Sequence, residues 1–165
     1  MTKESITQDE LLELLEYRDG VLYWKISKPH SRYKAGDVAG RTITNGYNQI
    51  CVNRMRILTH QIVFKMFYGY TPKVIDHIDG NTANNRVENL RPATPRQNQY
   101  NARISTRNKS GAKCVWWNKT AKKWQVEVSV KGKQKDFGLY KDLELADLVA
   151  QEARDKYHGA FANHG

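Results

Sequence analysis

The chain has 165 residues, of which 27 are Lys or Arg and 17 are Asp or Glu, so its formal net charge at pH 7 is +10. That length suits one ordinary domain or two small ones, and its two cysteines, Cys51 and Cys114, exclude a four-cysteine zinc site. The first ten residues lack an apolar signal core and no apolar run reaches the length of a membrane span, so we expect a soluble, intracellular, cytoplasmic protein without a membrane partner.

The first 70 residues predict a helix, several short strands and a second helix. Thr7 and Glu10 form a capping box that opens a helix whose leucines, at 11, 12, 14 and 15, favour burial. Short strands are predicted over residues 21–26, 37–44, 47–52 and 55–58, with a turn at Asn45-Gly46. Residues 60–67 predict a helix, because Ile62, Val63, Met66 and Phe67 can share one face.

Residues 74–98 combine strand, turn and helix-start signals with chemically active side chains. Residues 74–78 form a short apolar run, and residues 79–81, Asp-Gly-Asn, have the composition of a hairpin turn. Thr94, Pro95 and Gln97 then predict a helix start with a capping box. The side chains that carry the chemistry are Asp76, His77, Asn89 and Asn98.

This cluster can support metal-assisted hydrolysis. Asp76 offers a hard oxygen ligand for a magnesium-like cation, and His77 can accept a proton near neutral pH. The alternative is a structured loop, since Asp, Asn and Gly also favour turns, and we assign Asn81, Asn84 and Asn85 that structural role. Because strand neighbours point to opposite faces, Asp76 and His77 can serve one site only where the strand ends or twists.

The stretch resembles the HNH nucleases of phage and intron homing endonucleases, whose core is a ββα-metal hairpin and helix. The resemblance implies that His77 is the general base, that Asp76 and Asn98 bind one magnesium or manganese ion, and that Asn89 braces the loop. Asn98 departs from the histidine that many members carry, which is similar to the HNN subgroup and keeps the ligands hard. The layout of these homing endonucleases also includes a histidine at the position of His60. We assign His60 a structural role or, alternatively, a phosphate contact.

Positive charge concentrates after the presumed active site. Residues 95–135 hold 11 basic side chains and one acid, Glu127, so their net charge equals the +10 of the whole chain. Such a stripe is typical of a protein that binds a polyanion, and we favour nucleic acid over a merely solvated surface. Residues 102–111 predict a basic linker, which is either a flexible tether or a segment that follows the DNA backbone through Arg103, Arg107 and Lys109.

The last 50 residues predict a small sheet covered by one helix. Alternating residues from Trp124 to Lys131 predict a half-buried strand, and residues 134–140 predict the next one. Residues 142–158 predict an amphipathic helix that covers the valine face of the sheet and leaves the polar face for a partner. Trp116 and Trp117 are neighbours, so a regular strand would bury one and expose the other, and the sequence does not choose between them.

Residues 111–163 resemble the Apetala-type, ethylene-response-factor DNA-binding domain, through VWWNKTAKKWQVEV, FGLY and KYHGAFAN. That resemblance implies three antiparallel strands backed by one helix, with the sheet in the major groove. Lysines largely replace the arginines of that family, which departs from bidentate guanine recognition. Together with the basic stripe, the expected DNA contacts are Arg96, Arg103, Arg107, Lys109, Trp116, Lys119, Lys122, Lys123, Gln125, Glu127, Ser129 and Lys133.

These features predict an α+β protein with a ββα-metal nuclease core, an N-terminal helix and small antiparallel strands, followed by a three-stranded sheet backed by one helix. The predicted domains are an HNH endonuclease domain (residues 1–101), a linker (102–111) and a DNA-binding domain (112–165). The predicted function is metal-dependent nicking of double-stranded DNA by a monomer, in a phage-infected host cell. The alternatives are a catalytically inactive DNA-binding protein and an RNA-binding or RNA-cleaving module.

Overall fold

The structure is a computed structural model that describes residues 6–27 and 33–165. These residues confirm the predicted α+β class, and none of their helices is long and apolar enough to cross a membrane. The helices are α1 (Gln8–Leu14), α2 (Thr59–Tyr68), α3 (Pro95–Asn101) and α4 (Leu143–His158). The strands are β1 (Leu15–Arg18), β2 (Val21–Trp24), β3 (Arg41–Thr42), β4 (Asn48–Val52), β5 (Met55–Leu58), β6 (Ile75–His77), β7 (Leu90–Pro92), β8 (Val115–Asn118), β9 (Lys123–Val130) and β10 (Lys133–Tyr140).

The chain divides into two compact units, Met1–Ala93 and Thr94–Gly165. This division precedes helix α3, whereas the sequence places the domain boundary after residue 101. Residues 102–111 lie within the second unit, where Ser110 Oγ donates to the carbonyl oxygens of Ala112 and Val115 at 2.9 and 2.7 Å. The nuclease and DNA-binding domains with a linker between them stay a prediction, and the two compact units are described separately below.

The first unit opens with the predicted capping box at Thr7 and Glu10, which is present and starts α1. The helix ends at Leu14, so the prediction that Leu15 belongs to it is wrong. Leu15–Arg18 instead pairs with Val21–Trp24 in an antiparallel hairpin. The two-residue turn explains this outcome, because Asp19 and Gly20 both have positive φ, 48° and 87°, as a tight hairpin turn requires.

Strands β3, β4 and β5 form an antiparallel sheet next to this hairpin. The strands predicted over residues 47–52 and 55–58 are confirmed, but residues 37–44 supply only the two-residue strand β3. Gly40 interrupts that segment: its φ is +98°, and a Cβ there would lie 2.6 Å from Ile50 Cγ1. The backbone therefore leaves the extended conformation just before β3.

Helix α2 follows β5 and buries Ile62, Val63 and Met66, as predicted. Phe67 does not share that face: it is 48% exposed and its ring packs edge-on against Tyr17. The core of the unit combines residues from both helices and the first two sheets with Ile75 and Leu90 of the β6–β7 hairpin. The hairpin is thus anchored on a core that the N-terminal elements build.

The second unit contains α3, a three-stranded antiparallel sheet and α4. The predicted capping box at Thr94 and Gln97 is present, with Pro95 at the helix start. The sheet has the order β10-β9-β8, and α4 packs against it through the buried alanines Ala146, Ala150 and Ala153. Val126 and Val128 of β9 are fully buried on that side, so the predicted strand pattern and amphipathic helix are confirmed.

The two neighbouring tryptophans do not divide into one buried and one exposed residue. Trp116 is 44% exposed and Trp117 is 45% exposed, so that expectation is wrong. The reason is their place on β8, an edge strand, whereas α4 packs mainly on β9 and β10. Trp117 lies opposite Trp124 and meets it edge-on with ring centroids 5.0 Å apart, while Trp116 lies opposite Gln125.

Candidate active site

Asp76 and His77 are the last two residues of β6, and both are buried, with 3% and 4% of their surface exposed. Strand β7 pairs with β6 so that Arg91 lies opposite Asp76 and Leu90 lies opposite His77. Because neighbours in a strand point to opposite faces, the carboxylate and the imidazole have different immediate surroundings. The strand ends at His77, where the chain turns into the loop formed by residues 78–89.

Two rings from other parts of the chain, His60 and Tyr47, pack against the His77 ring. His60 of α2 meets the His77 ring at a centroid distance of 5.1 Å and an angle of 87°. Tyr47 contacts both, at 5.9 Å from His77 and 5.4 Å from His60. Burial and, to a smaller extent, the nearby His77 lower the pKa of His60 to about 4. His60 is therefore neutral at pH 7 and packs as part of this ring cluster.

Asn85 contacts the edge of the His77 ring. Its Oδ1 lies 3.3 Å from His77 Nε2, and its Nδ2 donates to the carbonyl oxygen of Ala83 at 3.2 Å. Burial lowers the pKa of His77, although Asn85, Asp79 and Asp76 each act in the opposite direction. The neutral imidazole is thus favoured at pH 7, in the state that a general base needs.

Asn89 closes the loop that follows His77. Its Oδ1 accepts from the Asp79 backbone N–H at 3.0 Å, and its Nδ2 donates to Asp79 Oδ1 and to the Asn84 carbonyl oxygen at 2.9 and 2.8 Å. Asn84 Nδ2 also donates to Asp79 Oδ2 at 2.7 Å. Partial burial raises the pKa of Asp79, but these hydrogen bonds together with one from Asn81 outweigh it, so the pKa lies below its usual value.

The tight turn predicted at residues 79–81 is only the first part of this connection. The chain returns to β7 through the whole of residues 78–89, which include a short 3-10 turn at Val87–Asn89. Tyr17 Oη accepts from the Val87 backbone N–H at 3.0 Å, so the N-terminal hairpin supports the far end of the loop. Within the loop, Asp79, Asn84 and Asn89 form the hydrogen bonds that close it.

Arg91 pairs with the Asp76 carboxylate on the other face of β6. Its Nε and Nη2 both lie 2.7 Å from Asp76 Oδ2, and the Asp76 side chain is only 4% exposed. A carboxylate has two oxygens with about four lone-pair positions, so this ion pair is chemically compatible with a second cation on the same group. Asp76 therefore keeps the donor chemistry that a hard divalent ion requires.

Asn98, the other predicted metal ligand, lies on α3 in the second unit and is exposed. Its carboxamide oxygen belongs to the same hard class as the Asp76 carboxylate, so the donor set fits magnesium or manganese better than zinc. Within the described residues, no group of three or more His, Cys, Asp and Glu side chains is placed to hold a metal ion. Asp76 and Asn98 as a ligand pair therefore stay a prediction from the sequence.

The sequence does not indicate a contact with His77 or Asp76 for three residues that the structure places beside them. From the sequence, Asn85 has only a loop role, and Tyr47 and Arg91 have none. The Asp76–Arg91 pair follows from hairpin register, which the sequence does not give when the connecting loop is long. Tyr47 contacts His77 from a different part of the chain, so no local spacing marks it.

The expected DNA-contacting residues fall into two groups in the second unit. The exposed basic residues on α3, in the segment after it and in the strand turns are Arg96, Arg103, Arg107, Lys109, Lys119, Lys122 and Lys133. The residues on the sheet face opposite α4 are Trp116, Lys123, Gln125, Glu127 and Ser129. The second group contains both a cation, Lys123, and an acid, Glu127.

Hydrogen bonds organise the centre of that sheet face. Asn118 Nδ2 donates to Gln125 Oε1 at 2.8 Å, and Gln125 Nε2 donates to Glu127 Oε1 and Asp136 Oδ2 at 3.4 and 3.3 Å. Lys135 lies opposite Val128 and donates instead to Tyr157 Oη at 3.0 Å. The face is therefore polar at its centre and carries Trp116 on its edge strand, and most of the expected cationic contacts lie outside it.

Comparisons with known proteins show similarity to HNH endonucleases. Residues 58–100 match the family model described as HNH endonuclease. The chain is 37% identical over 107 residues to protein 3.8 of Escherichia phage T7, covering 62% of this chain and 86% of that protein. It is also 39% identical over 59 residues to YosQ, a candidate HNH homing endonuclease of the SPbeta prophage of Bacillus subtilis (strain 168), covering 34% of each. No solved structure matches the chain with significance.

Proposed function

The chain belongs to the same family as protein 3.8 of Escherichia phage T7 and contains an HNH endonuclease domain, and from this premise we propose that it is a metal-dependent DNA endonuclease of the phage homing type. It binds duplex DNA and hydrolyses one phosphodiester bond, nicking the strand as a monomer. The observation that carries the proposal is the buried, neutral His77 at the end of β6, held between Asn85 and the rings of His60 and Tyr47.

The orientation of Asn85 defines which His77 nitrogen acts. Because Asn85 Nδ2 donates to Ala83, its Oδ1 faces the ring, and His77 Nε2 then carries the proton that Oδ1 accepts. In the neutral tautomer the lone pair belongs to Nδ1, which takes the proton from the attacking water. The resulting hydroxide attacks phosphorus in line with the departing 3′ oxygen.

Asn89 keeps this base in place indirectly. Its three hydrogen bonds tie Asp79 to Asn84 across the loop, which fixes the path of the chain between His77 and Asn85. Asn89 is therefore a positioning residue in the proposal. His60 of α2 is also a positioning residue in the proposal. Its burial against the His77 ring supports the structural role over a phosphate contact.

Asp76 and Asn98 would hold one magnesium or manganese ion, which when bound stabilises negative charge on the phosphate and on the leaving oxygen. The Arg91 ion pair keeps the Asp76 carboxylate ordered and partly neutralised. The sheet of the second unit would supply duplex binding in the manner of an ethylene-response-factor domain. Its supporting observations are the three-stranded antiparallel sheet backed by α4 and the exposed Trp116.

The test is nicking of supercoiled plasmid by the full chain with magnesium, with manganese and with EDTA. The proposal expects open-circular product with either metal and none with EDTA. The Asp76–Arg91 ion pair favours a second candidate, a DNA-binding protein without cleavage, since it engages the proposed metal ligand. Binding of the plasmid without nicking under every metal condition would select that candidate.

A further inference from the structure

The arginines of the β3–β4–β5 sheet form an unassigned surface in the first unit. The side of this sheet that faces away from the core carries Arg41 of β3, Gln49 and Cys51 of β4, and Arg56 of β5. Ile50, Val52 and Ile57 point to the opposite side and are buried. We call the outward side, defined by Arg41, Gln49, Cys51 and Arg56, the arginine face.

A groove of about 620 Å³ runs along this face. Trp24 and Tyr33, whose rings stack at a centroid distance of 4.0 Å with an angle of 10°, form one wall of it. Gly40 forms part of the floor, where a Cβ would lie 2.7 Å from the Gln49 carbonyl oxygen. The groove thus combines a flat aromatic wall with two guanidinium groups.

The charge of this region is positive and uncompensated among its described residues. Residues 38–75 contain five basic side chains, Arg41, Arg54, Arg56, Lys65 and Lys73, and no acidic one. Within the described ranges 6–27 and 33–165, neither Arg41 nor Arg56 forms an ion pair, whereas Arg18 pairs with Glu16 and Arg91 with Asp76. Asp37 is nearby in sequence, but it does not line the groove, and its Oδ2 accepts from the Lys34 backbone N–H.

We infer that the arginine face is a second DNA contact, which binds the phosphate backbone of duplex DNA through Arg41 and Arg56. Exposed guanidinium groups without carboxylate partners are suited to phosphate oxygens, and Gln49 adds a neutral donor between them. The aromatic wall offers an apolar surface to deoxyribose. This inference rests on the proposed function, since it assigns a further part of the substrate to the same enzyme.

The test measures the affinity of the full chain for duplex DNA over a series of salt concentrations in EDTA, where no cleavage is expected. Losing two phosphate contacts decreases the steepness of the fall of log K with log salt by about 1.8. We therefore expect that decrease for Arg41→Ala/Arg56→Ala. Arg18→Ala/Lys25→Ala is the matched control, because it also removes two exposed positive charges from this unit, and its slope stays at the wild-type value.

A lysine pair separates a phosphate contact from base recognition. Arg41→Lys/Arg56→Lys restores the wild-type slope if the partner is phosphate, because a point charge suffices there. Loss of affinity equal to that of the alanine pair overturns the inference. An unchanged slope in the alanine pair also overturns it, as does a loss confined to single-stranded RNA. If the wild-type chain fails to bind duplex DNA at all, the proposed function itself fails.

Discussion

The two units of this protein use their polar side chains in opposite ways. In the first unit, His77, His60 and Asn85 are buried and hold one another through ring contacts and a hydrogen bond. In the second unit, Trp116 and the basic residues of the turns are exposed around a small alanine and valine core. A base for catalysis needs desolvation and fixed orientation, whereas a DNA-contacting surface needs access. The buried cluster around His77 therefore suits the first task, and the exposed residues of the second unit suit the second.

The largest expected effect is the loss of stability when a core side chain of either unit is truncated. Ile50→Ala removes a fully buried side chain of the first unit, and Val126→Ala does the same in the second. We expect a loss of about 2–5 kcal/mol for the isoleucine and a smaller one for the valine. Hydrogen exchange should show lost amide protection mainly within the unit that carries each substitution. Equal loss across both units for either variant would show that they share one cooperative core.

His60 should make the first unit sensitive to acid. Its folded pKa of about 4 lies below the usual histidine pKa of 6.5, so the unfolded chain takes up a proton first as pH falls. Stability is therefore lost progressively between these two values, by up to about 3 kcal/mol, and levels off below them. Urea unfolding at several pH values should show this loss in the wild type and in His164→Phe, and a smaller one in His60→Phe, where the buried His77 still has a lowered pKa. The same loss in His60→Phe would rule out this assignment.

Asn85 should affect cleavage without affecting DNA affinity. Asn85→Leu removes the acceptor for His77 Nε2 and should lower the single-turnover rate by about 10–100-fold, as loss of an orienting partner does elsewhere. Ring ¹⁵N chemical shifts of His77 in the metal-free protein should change from the Nε2–H tautomer towards a mixture. Asn81→Ala, in the same loop but without a His77 contact, is the control. A wild-type tautomer in Asn85→Leu would contradict the positioning role.

The smallest effect should separate the two tryptophans. Trp116→Ala should weaken duplex binding by about tenfold, which is about 1.4 kcal/mol, because an exposed aromatic contact is lost. Trp117→Ala removes a ring that packs against Trp124, so thermal melting should report its effect more than DNA affinity does. Equal affinity losses in both variants would mean that the sheet face opposite α4 is not the binding surface.

Local signals in the sequence predicted much of this fold. The capping boxes at Thr7 and Thr94 and the alternation along β9 are short-range patterns, and the structure confirms them. The Asp19-Gly20 turn carried an equally local signal for the β1–β2 hairpin, but the leucine run favoured a longer helix. The position of Phe67 off the buried face of α2 was not predictable, because its ring packs against Tyr17 of β1, which is distant in the sequence.

The same distinction between local patterns and contacts that depend on the fold applies to the candidate site. His77, Asp76, Asn89 and Asn98 were assigned from their spacing and from the resemblance, and these roles remain proposals. Asn85 and Arg91 could not be assigned, because their contacts depend on the path of a twelve-residue loop and on strand register. The residues that contact His77 and Asp76 from the loop and from β7 were thus the hardest to predict from the sequence.

The central claim is that His77 is the base for DNA cleavage, and it is tested most directly by measuring two quantities on one duplex. These are the single-turnover nicking rate with magnesium and the dissociation constant in EDTA, for wild type and His77→Ala. We expect His77→Ala to lower the rate by about 10²–10⁴-fold, the usual contribution of a general base, with a dissociation constant close to that of wild type. Nicking at the wild-type rate by His77→Ala would contradict it.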